Sequence, residues 1–292
     1  MTMVSDLSPE LRYGIAEQIT PNIQRLLAPN PGPFTFHGTG VYIVGAGKSV
    51  AVIDPGPDLP EHIEALMRAL DGRNVSHILI THTHKDHSPA AQPLAQWSGA
   101  PTYGFGPHAE TTDVEEGGDR LFVPDVRVTD GDWILGEKFT IAALHTPGHT
   151  ANHICYSLEE EKALFTGDHV MGWSTSVIAP PDGNMGDYLR SLEKLIARDD
   201  AVLYPTHGSS IPDPEHFLHA YLMHRRMREA QIAASLARGT DMIAAIVAKL
   251  YVGLQPVLIR AAALTVQAHL EHMIEEGKVV RDGERYRLIT SL

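Results

Sequence analysis

Apolar residues in the first hundred positions come in short runs separated by turn residues. Val41-Tyr42-Ile43-Val44 and Val50-Ala51-Val52-Ile53 flank Gly45-Ala46-Gly47, which predicts a β-hairpin. The period then changes: between Glu61 and Leu70 the residues Ile63, Leu66, Met67 and Leu70 fall at helical spacing, and Asp71-Gly72 closes the helix. Ile78-Leu79-Ile80 predicts a buried strand, and Phe139 to Leu144, Ile154 to Tyr156, Ala163 to Phe165 and Ala201 to Tyr204 predict four more. Helices at about 89–97 and 187–198 separate them. Strands mixed with amphipathic helices predict sheet packed with helices, an α/β arrangement, and not an all-β sandwich.

The last third is mostly helical in pattern. Asp213 to Arg238 predicts a long helix linking two units, with Phe217, Leu218, Tyr221, Leu222 and Ile232 among charged residues. After Gly239 come a helical pattern from Asp241 to Leu250, a segment from Pro256, a helix from Thr265 to Glu276, and an Asp282-Gly283 turn between Val279-Val280 and Tyr286-Arg287-Leu288. The order helix, helix, helix, hairpin resembles a winged helix. The expected division is a catalytic domain over 1–212, a connecting helix over 213–238 and a winged-helix-like domain over 239–292. Gly38-Thr39-Gly40 is a poor phosphate loop, because strand and not helix follows it.

Composition narrows the function. The 292 residues are 43% hydrophobic and 20% charged, with no apolar run of about 18 residues to span a bilayer. Met1 to Gly14 lacks the basic flank and apolar core of a secretory signal, so a cytoplasmic protein is expected. The formal charge of −13 disfavours nucleic acid, and no local basic patch offsets it. Cys155 is the single cysteine, which excludes an internal disulfide and any Cys-rich zinc site. It sits in mid-strand, as a buried inert thiol does.

The candidate chemistry lies in the histidines. His82, His84, Asp86 and His87 place four imidazole or carboxylate donors within six residues, directly after a strand. His149 in His145-Thr146-Pro147-Gly148-His149, Asp168 in Phe165-Thr166-Gly167-Asp168 and His207 in Tyr204-Pro205-Thr206-His207 each trail an apolar strand as well. If those strands share a sheet edge, five His and two Asp converge there. Such donors suit Zn²⁺, and the imidazoles leave Fe or Mn open. His145 and His169 adjoin these residues and are read as supporting or loop residues. Met171 and Trp173 are read as packing, and Asp113 to Asp119 as a solvated acidic loop.

These motifs, with Ile53-Asp54-Pro55-Gly56, resemble those of the metallo-β-lactamase superfamily over roughly residues 34–210. The resemblance implies a four-layer αββα sandwich. It implies that His82, His84 and His149 hold one metal, that Asp86, His87 and His207 hold a second, that Asp168 bridges both, and that Asp54 stands behind them. Two zinc ions about 3.5–4 Å apart lower the pKa of a shared water towards about 7, so that metal-bound hydroxide is the nucleophile. Asp86 and Asp168 are the carboxylates expected to take part in catalysis. Oxidative di-iron members of the family replace the second His of the first motif by Glu, whereas His84 is retained here, so hydrolysis is favoured over redox chemistry.

Added to this core, the C-terminal unit resembles the branch around β-lactamase-like protein 2, in which a single-stranded RNA endonuclease is known. His169 and Gly40-Val41 depart from that branch. Thr265 to Glu276 carries Glu271, Glu275 and Glu276 and no Lys or Arg, which argues against a DNA-reading helix. The first expectation is hydrolysis of an ester, thioester or related acyl substrate of small size. The alternatives are metal-dependent RNA cleavage and a non-catalytic ligand-binding regulator, with a homo-oligomer left open.

Overall fold

The computed structural model describes residues 12–108 and 117–289 and divides into two compact units. Residues 1–11, where most of the expected non-signal N-terminus falls, and 113–116 of the acidic loop lie outside the described residues.

The first unit comprises residues up to Thr146, Asn152–Ser174 and Asp199–Pro214. It holds a seven-stranded sheet in chain order: β1 (Ala16–Thr20), β2 (Ile23–Leu27), β3 (Gly40–Val44), β4 (Ser49–Ile53), β5 (Asn74–Leu79), β6 (Thr102–Gly104) and β7 (Val126–Arg127). The first four strands run antiparallel; β4 to β7 run parallel, which requires crossovers, and α1 (Pro60–Ala69) and α2 (Ala91–Ser98) supply two of them. A five-stranded sheet orders β12 (Val202–Pro205), β11 (Ala163–Gly167), β10 (Ile154–Leu158), β9 (Thr140–His145) and β8 (Trp133–Leu135), antiparallel except for β11 beside β12.

Side-chain alternation divides the unit into layers. Val41, Ile43, Val50, Val52 and Ile78 pack with Leu66 and Leu70 of α1 and its cap and with Leu94 of α2. The intervening Tyr42, Val44, Ala51, Ile53 and Leu79 meet Ile141, Ala143, Ile154, Tyr156 and Phe165 of the other sheet. The sequence reads as continuous apolar runs because β3, β4 and β5 are covered on both faces. Two buried tyrosines tie the sheets: Tyr42 donates its hydroxyl to the Pro205 carbonyl (2.7 Å) and Tyr156 to that of Ile80 (3.0 Å).

The second unit contains Pro147–Ala151, Thr175–Arg198 and Glu215 onward. Its helices are α3 (Met185–Ile196), α4 (Pro214–Ala237), α5 (Ile243–Leu250) and α6 (Ile259–Glu275), followed by the hairpin β13 (Val279–Asp282) and β14 (Arg285–Leu288). Ile232, Leu236, Ile246, Val266, Leu270, Met273, Val279 and Tyr286 form its core. The segment from Pro256 is a single turn that runs into α6, which starts at Ile259 and not at Thr265. Ala261, Ala262 and Ala263 extend the helix because alanine favours it without contributing an amphipathic signal.

Buried in this unit, His269 has its pKa driven well below 6.5 by burial and by Arg225, His272, Arg228 and His224. The folded form therefore keeps it neutral where the unfolded chain, below its ordinary 6.5, takes up a proton, so stability is fully present above 6.5 and falls on acidification. Urea unfolding at pH 7 and pH 5 should show the loss, and His269→Gln should flatten the slope; equal slopes would rule this source out.

Candidate metal centre

Asp54, Thr81, Asp168 and Thr206 begin just beyond the carboxyl ends of β4, β5, β11 and β12, so loops from both sheets supply the site. At its base lies Asp54, 1% exposed and with a positive φ of 47°. Its Oδ1 accepts the Thr81 amide at 2.8 Å. Its Oδ2 accepts the hydroxyls of Thr81 (2.7 Å) and Thr206 (3.2 Å) and the Nδ1–H of His87 (2.9 Å). A single carboxylate thus fixes the loops after β5 and β12, at a strained backbone position that is tolerated because its partners over-determine it.

The imidazoles are oriented from behind. His82 Nδ1 lies 3.0 Å from Thr81 Oγ1, and since that hydroxyl donates to Asp54, His82 is the donor. His207 Nδ1 lies 3.1 Å from the Gly38 carbonyl. Nδ1 of His82, His87 and His207 is therefore a proton donor, so that Nε2 is the nitrogen left for a metal, as ligation needs. His87 Nε2 is buried and forms no hydrogen bond of good geometry, facing Asp86 Oδ2 at 3.4 Å and Asp168 Oδ1 at 3.7 Å. His207 Nε2 faces the same two carboxylates at 3.1 and 3.4 Å. His82 Nε2 faces His84 Nδ1 at 2.9 Å.

The structure brings six of the seven sequence-predicted ligands into two groups within the first unit. His82, His84 and Asp168 offer ligand atoms within 4.8 Å of one another, and so do Asp86, His87 and His207. His149 is carried by Pro147–Ala151 of the second unit, where its Nδ1 lies 2.6 Å from the Val177 carbonyl, again directing the proton to that nitrogen. Burial alone would lower the pKa of His87, but the charges of Asp86, Asp168 and Asp54 raise it well above 6.5. Burial likewise opposes ionisation of Asp86, yet His87 and His207 hold its carboxyl far below the usual range. Here protons on the imidazoles balance the buried carboxylates, and divalent cations fit the same charge requirement at donors clustered in these groups.

Several supporting residues carry no isolated sequence signal. His153, fully buried, accepts the Asp168 amide at Nε2 (3.3 Å) and bonds Thr146 Oγ1 through Nδ1 (2.9 Å). Gly38 has φ +125°, and a Cβ there would come within 2.2 Å of the Ala28 carbonyl oxygen, so Gly38-Thr39-Gly40 is a close-packed support for His207 and Asp86. His145 stacks on Phe105 at 4.0 Å. Cys155 is buried with its sulfur 3.2 Å from Thr146 Oγ1, as an inert thiol in mid-strand should be.

Comparison with known proteins agrees with this geometry. Residues 35–207 match the profile of the Metallo-beta-lactamase superfamily, and residues 243–287 match the Beta-lactamase associated winged helix domain. The Lactamase-like protein adaB of Aspergillus niger is 36% identical over 224 residues, 76% of this chain and 66% of that protein. The Atrochrysone carboxyl ACP thioesterase of Claviceps purpurea is 35% identical over 236 residues, 80% of this chain and 71% of that protein. The chain thus spans about two thirds of the length of these relatives. Among solved structures, a beta-lactamase domain protein from Burkholderia ambifaria superposes with a TM-score of 0.82 at 19% identity, covering 97% of this chain and 96% of that one. A metallo-beta-lactamase family protein from Thermus thermophilus gives 0.77 at 22% identity, covering 93% and 100%. The same fold is shared by all three chains.

Proposed function

We propose that this chain, which belongs to the metallo-beta-lactamase superfamily, hydrolyses an acyl thioester with the help of two zinc ions. One observation carries the reading: His82, His87 and His207 each have Nδ1 bound from behind, and the Nε2 atoms of His87 and His207 are presented beside Asp86 and Asp168. The thioester as substrate is supported by relatives named as ACP thioesterases, those of Claviceps purpurea and Aspergillus terreus among them. The chain's acidity, with a formal charge of −13, suits an acyl substrate better than RNA.

In this reading His82, His84 and His149 hold one ion, Asp86, His87 and His207 the other, and Asp168 reaches both. Bound ions of this type supply a water ionised near neutral pH and polarise a carbonyl oxygen. The residues do the rest. Asp54 holds Thr81, His87 and Thr206 in place, so the ligands need not reorganise during the reaction. Asp86, whose side chain is a quarter exposed, is the carboxylate open to substrate, and it is held ionised. Asp86 Oδ1, the carboxylate oxygen other than the one set against His87 and His207, would accept the proton from the attacking water as the C–O bond forms at the thioester carbonyl. When the C–S bond breaks, the same oxygen returns that proton to the departing thiolate, leaving a free carboxylic acid and a thiol.

Chelation tests the reading. Dialysis against a zinc chelator should abolish hydrolysis of an acyl thioester, and added zinc should restore it. Turnover that survives with the metal removed, or metal-dependent cleavage of single-stranded RNA with no thioester turnover, would overturn the proposal.

A further inference from the structure

The loop that carries His149 is surrounded by residues of the second unit. Ser191 Oγ donates to the Pro147 carbonyl (2.8 Å), the Asn184 amide to that of Gly148 (2.9 Å), and the Ala151 amide to Asp182 Oδ1 (3.0 Å). Gly148 has φ +138°, and a Cβ there would fall 2.3 Å from Tyr188 Cα, so α3 lies directly against the residue before His149. The imidazole itself is oriented by the Val177 carbonyl at 2.6 Å. That oxygen takes the Nδ1 proton and so turns Nε2 to the other side of the ring.

Val177 is held from both sides by the C-terminal helices. Arg225 of α4 donates through Nη2 to the carbonyl of Ser176, and Thr265 Oγ1 of α6 accepts the amide of Ile178 at 3.4 Å. The same Arg225 guanidinium lies 4.9 Å from the centroid of the Tyr188 ring, against the helix that closes on Gly148. Arg225 is 2% exposed and forms no ion pair with any described carboxylate. Burying a guanidinium is costly, so the groups it is set against matter. Here its contacts are instead a backbone carbonyl and an aromatic face, both belonging to the surroundings of His149. One turn further along, Glu229 of α4 bonds His272 of α6 at 3.0 Å, joining the two helices that make the clamp.

We infer that the C-terminal helices position one metal ligand: Arg225, assisted by Thr265, fixes the Ser176–Ile178 backbone so that the Val177 carbonyl orients His149. Arg225 is a positioning residue, acting through Val177 and touching neither metal nor substrate. The inference rests on His149 being a ligand, as proposed above. It gives the winged-helix-type unit a role that needs no nucleic acid.

Zinc is titrated against a fluorescent chelator in the unaltered 292-residue chain and in His149→Ala, Arg225→Met, Thr265→Val and Arg226→Gln. His149→Ala should lose one of two ions and identifies the affected site. Arg225→Met should weaken that same ion about 10–100-fold and leave the other unchanged, since removing an orienting partner of a ligand has an effect of that order. Thr265→Val should shift the same ion less. Arg226→Gln, on the same helix as Arg225 but altering only an exposed pair with Glu193 of α3, should shift neither. General loosening would weaken both ions together, so selectivity marks the positioning role. If Arg225→Met does not fold, Thr265→Val decides. Wild-type affinity for both ions in a folded Arg225→Met or Thr265→Val protein, alongside loss of an ion in His149→Ala, would overturn the clamp alone. Retention of both ions by His149→Ala would overturn the ligand assignment as well.

Discussion

Replacing Asp168 by Ala is expected to lower thioester turnover by about a thousandfold, the order seen when a group acting directly on the reacting centre is removed. Asp168 is 8% exposed, its amide is held by His153, and its Oδ1 stands 3.4 Å from His207 Nε2 and 3.7 Å from His87 Nε2. Of the two carboxylates proposed as ligands it is the one set against donors of both groups, since it also clusters with His82 and His84. Its loss should therefore weaken both ions, in contrast to the one-ion effect expected for His207→Ala. Steady-state kinetics with metal analysis on the same samples checks this, and a variant with two ions and more than a tenth of wild-type activity would refute it.

The second large effect is expected at Asp54, which never reaches the substrate. Asp54→Ala would strand the Thr81 amide, two threonine hydroxyls and the His87 Nδ1–H in a site 1% exposed. Each unsatisfied buried donor costs about 1–3 kcal/mol, so a total of about 3–5 kcal/mol after relaxation is expected. Metal affinity should fall in parallel by about 10–100-fold, because His87 and, through Thr81, His82 lose their fixed tautomer. Denaturant unfolding of the metal-free protein measures the first quantity and chelator competition the second. A change in stability below about 1 kcal/mol would show that the carboxylate is not the hub described.

Much of the site was legible because its donors are dense in sequence and follow apolar strands: Ile78-Leu79-Ile80 before His82, Ala163-Leu164-Phe165 before Asp168, Ala201 to Tyr204 before His207. Strands covered on both faces announce themselves as apolar runs, which is why β3, β4, β5 and β9 to β12 were expected. β1, with Glu17, Gln18 and an exposed middle, and the two- and three-residue β6, β7 and β8 are too short or too polar to show a period. Tertiary pairing alone makes them strands.

The supporting residues were harder to see. Thr81 and Thr206 each stand immediately before a ligand, and the recurrence of strand, Thr, His in Ile80-Thr81-His82 and Pro205-Thr206-His207 is a signal that could have found them. His153 had no such mark, since its partners Thr146 and Asp168 lie on neighbouring strand ends. The packing of Pro147–Ala151 and Thr175–Arg198 with the C-terminal helices is equally invisible in a local pattern, because every contact that defines it is long in sequence.

Anomalous scattering from a crystal of the zinc-loaded protein, measured on either side of the zinc edge, addresses the central claim most directly. Two peaks are expected, one within bonding distance of His82, His84 and His149, the other of Asp86, His87 and His207, with Asp168 touching both. No peak at these side chains at saturating zinc, or zinc bound elsewhere while they stay empty, would contradict the account.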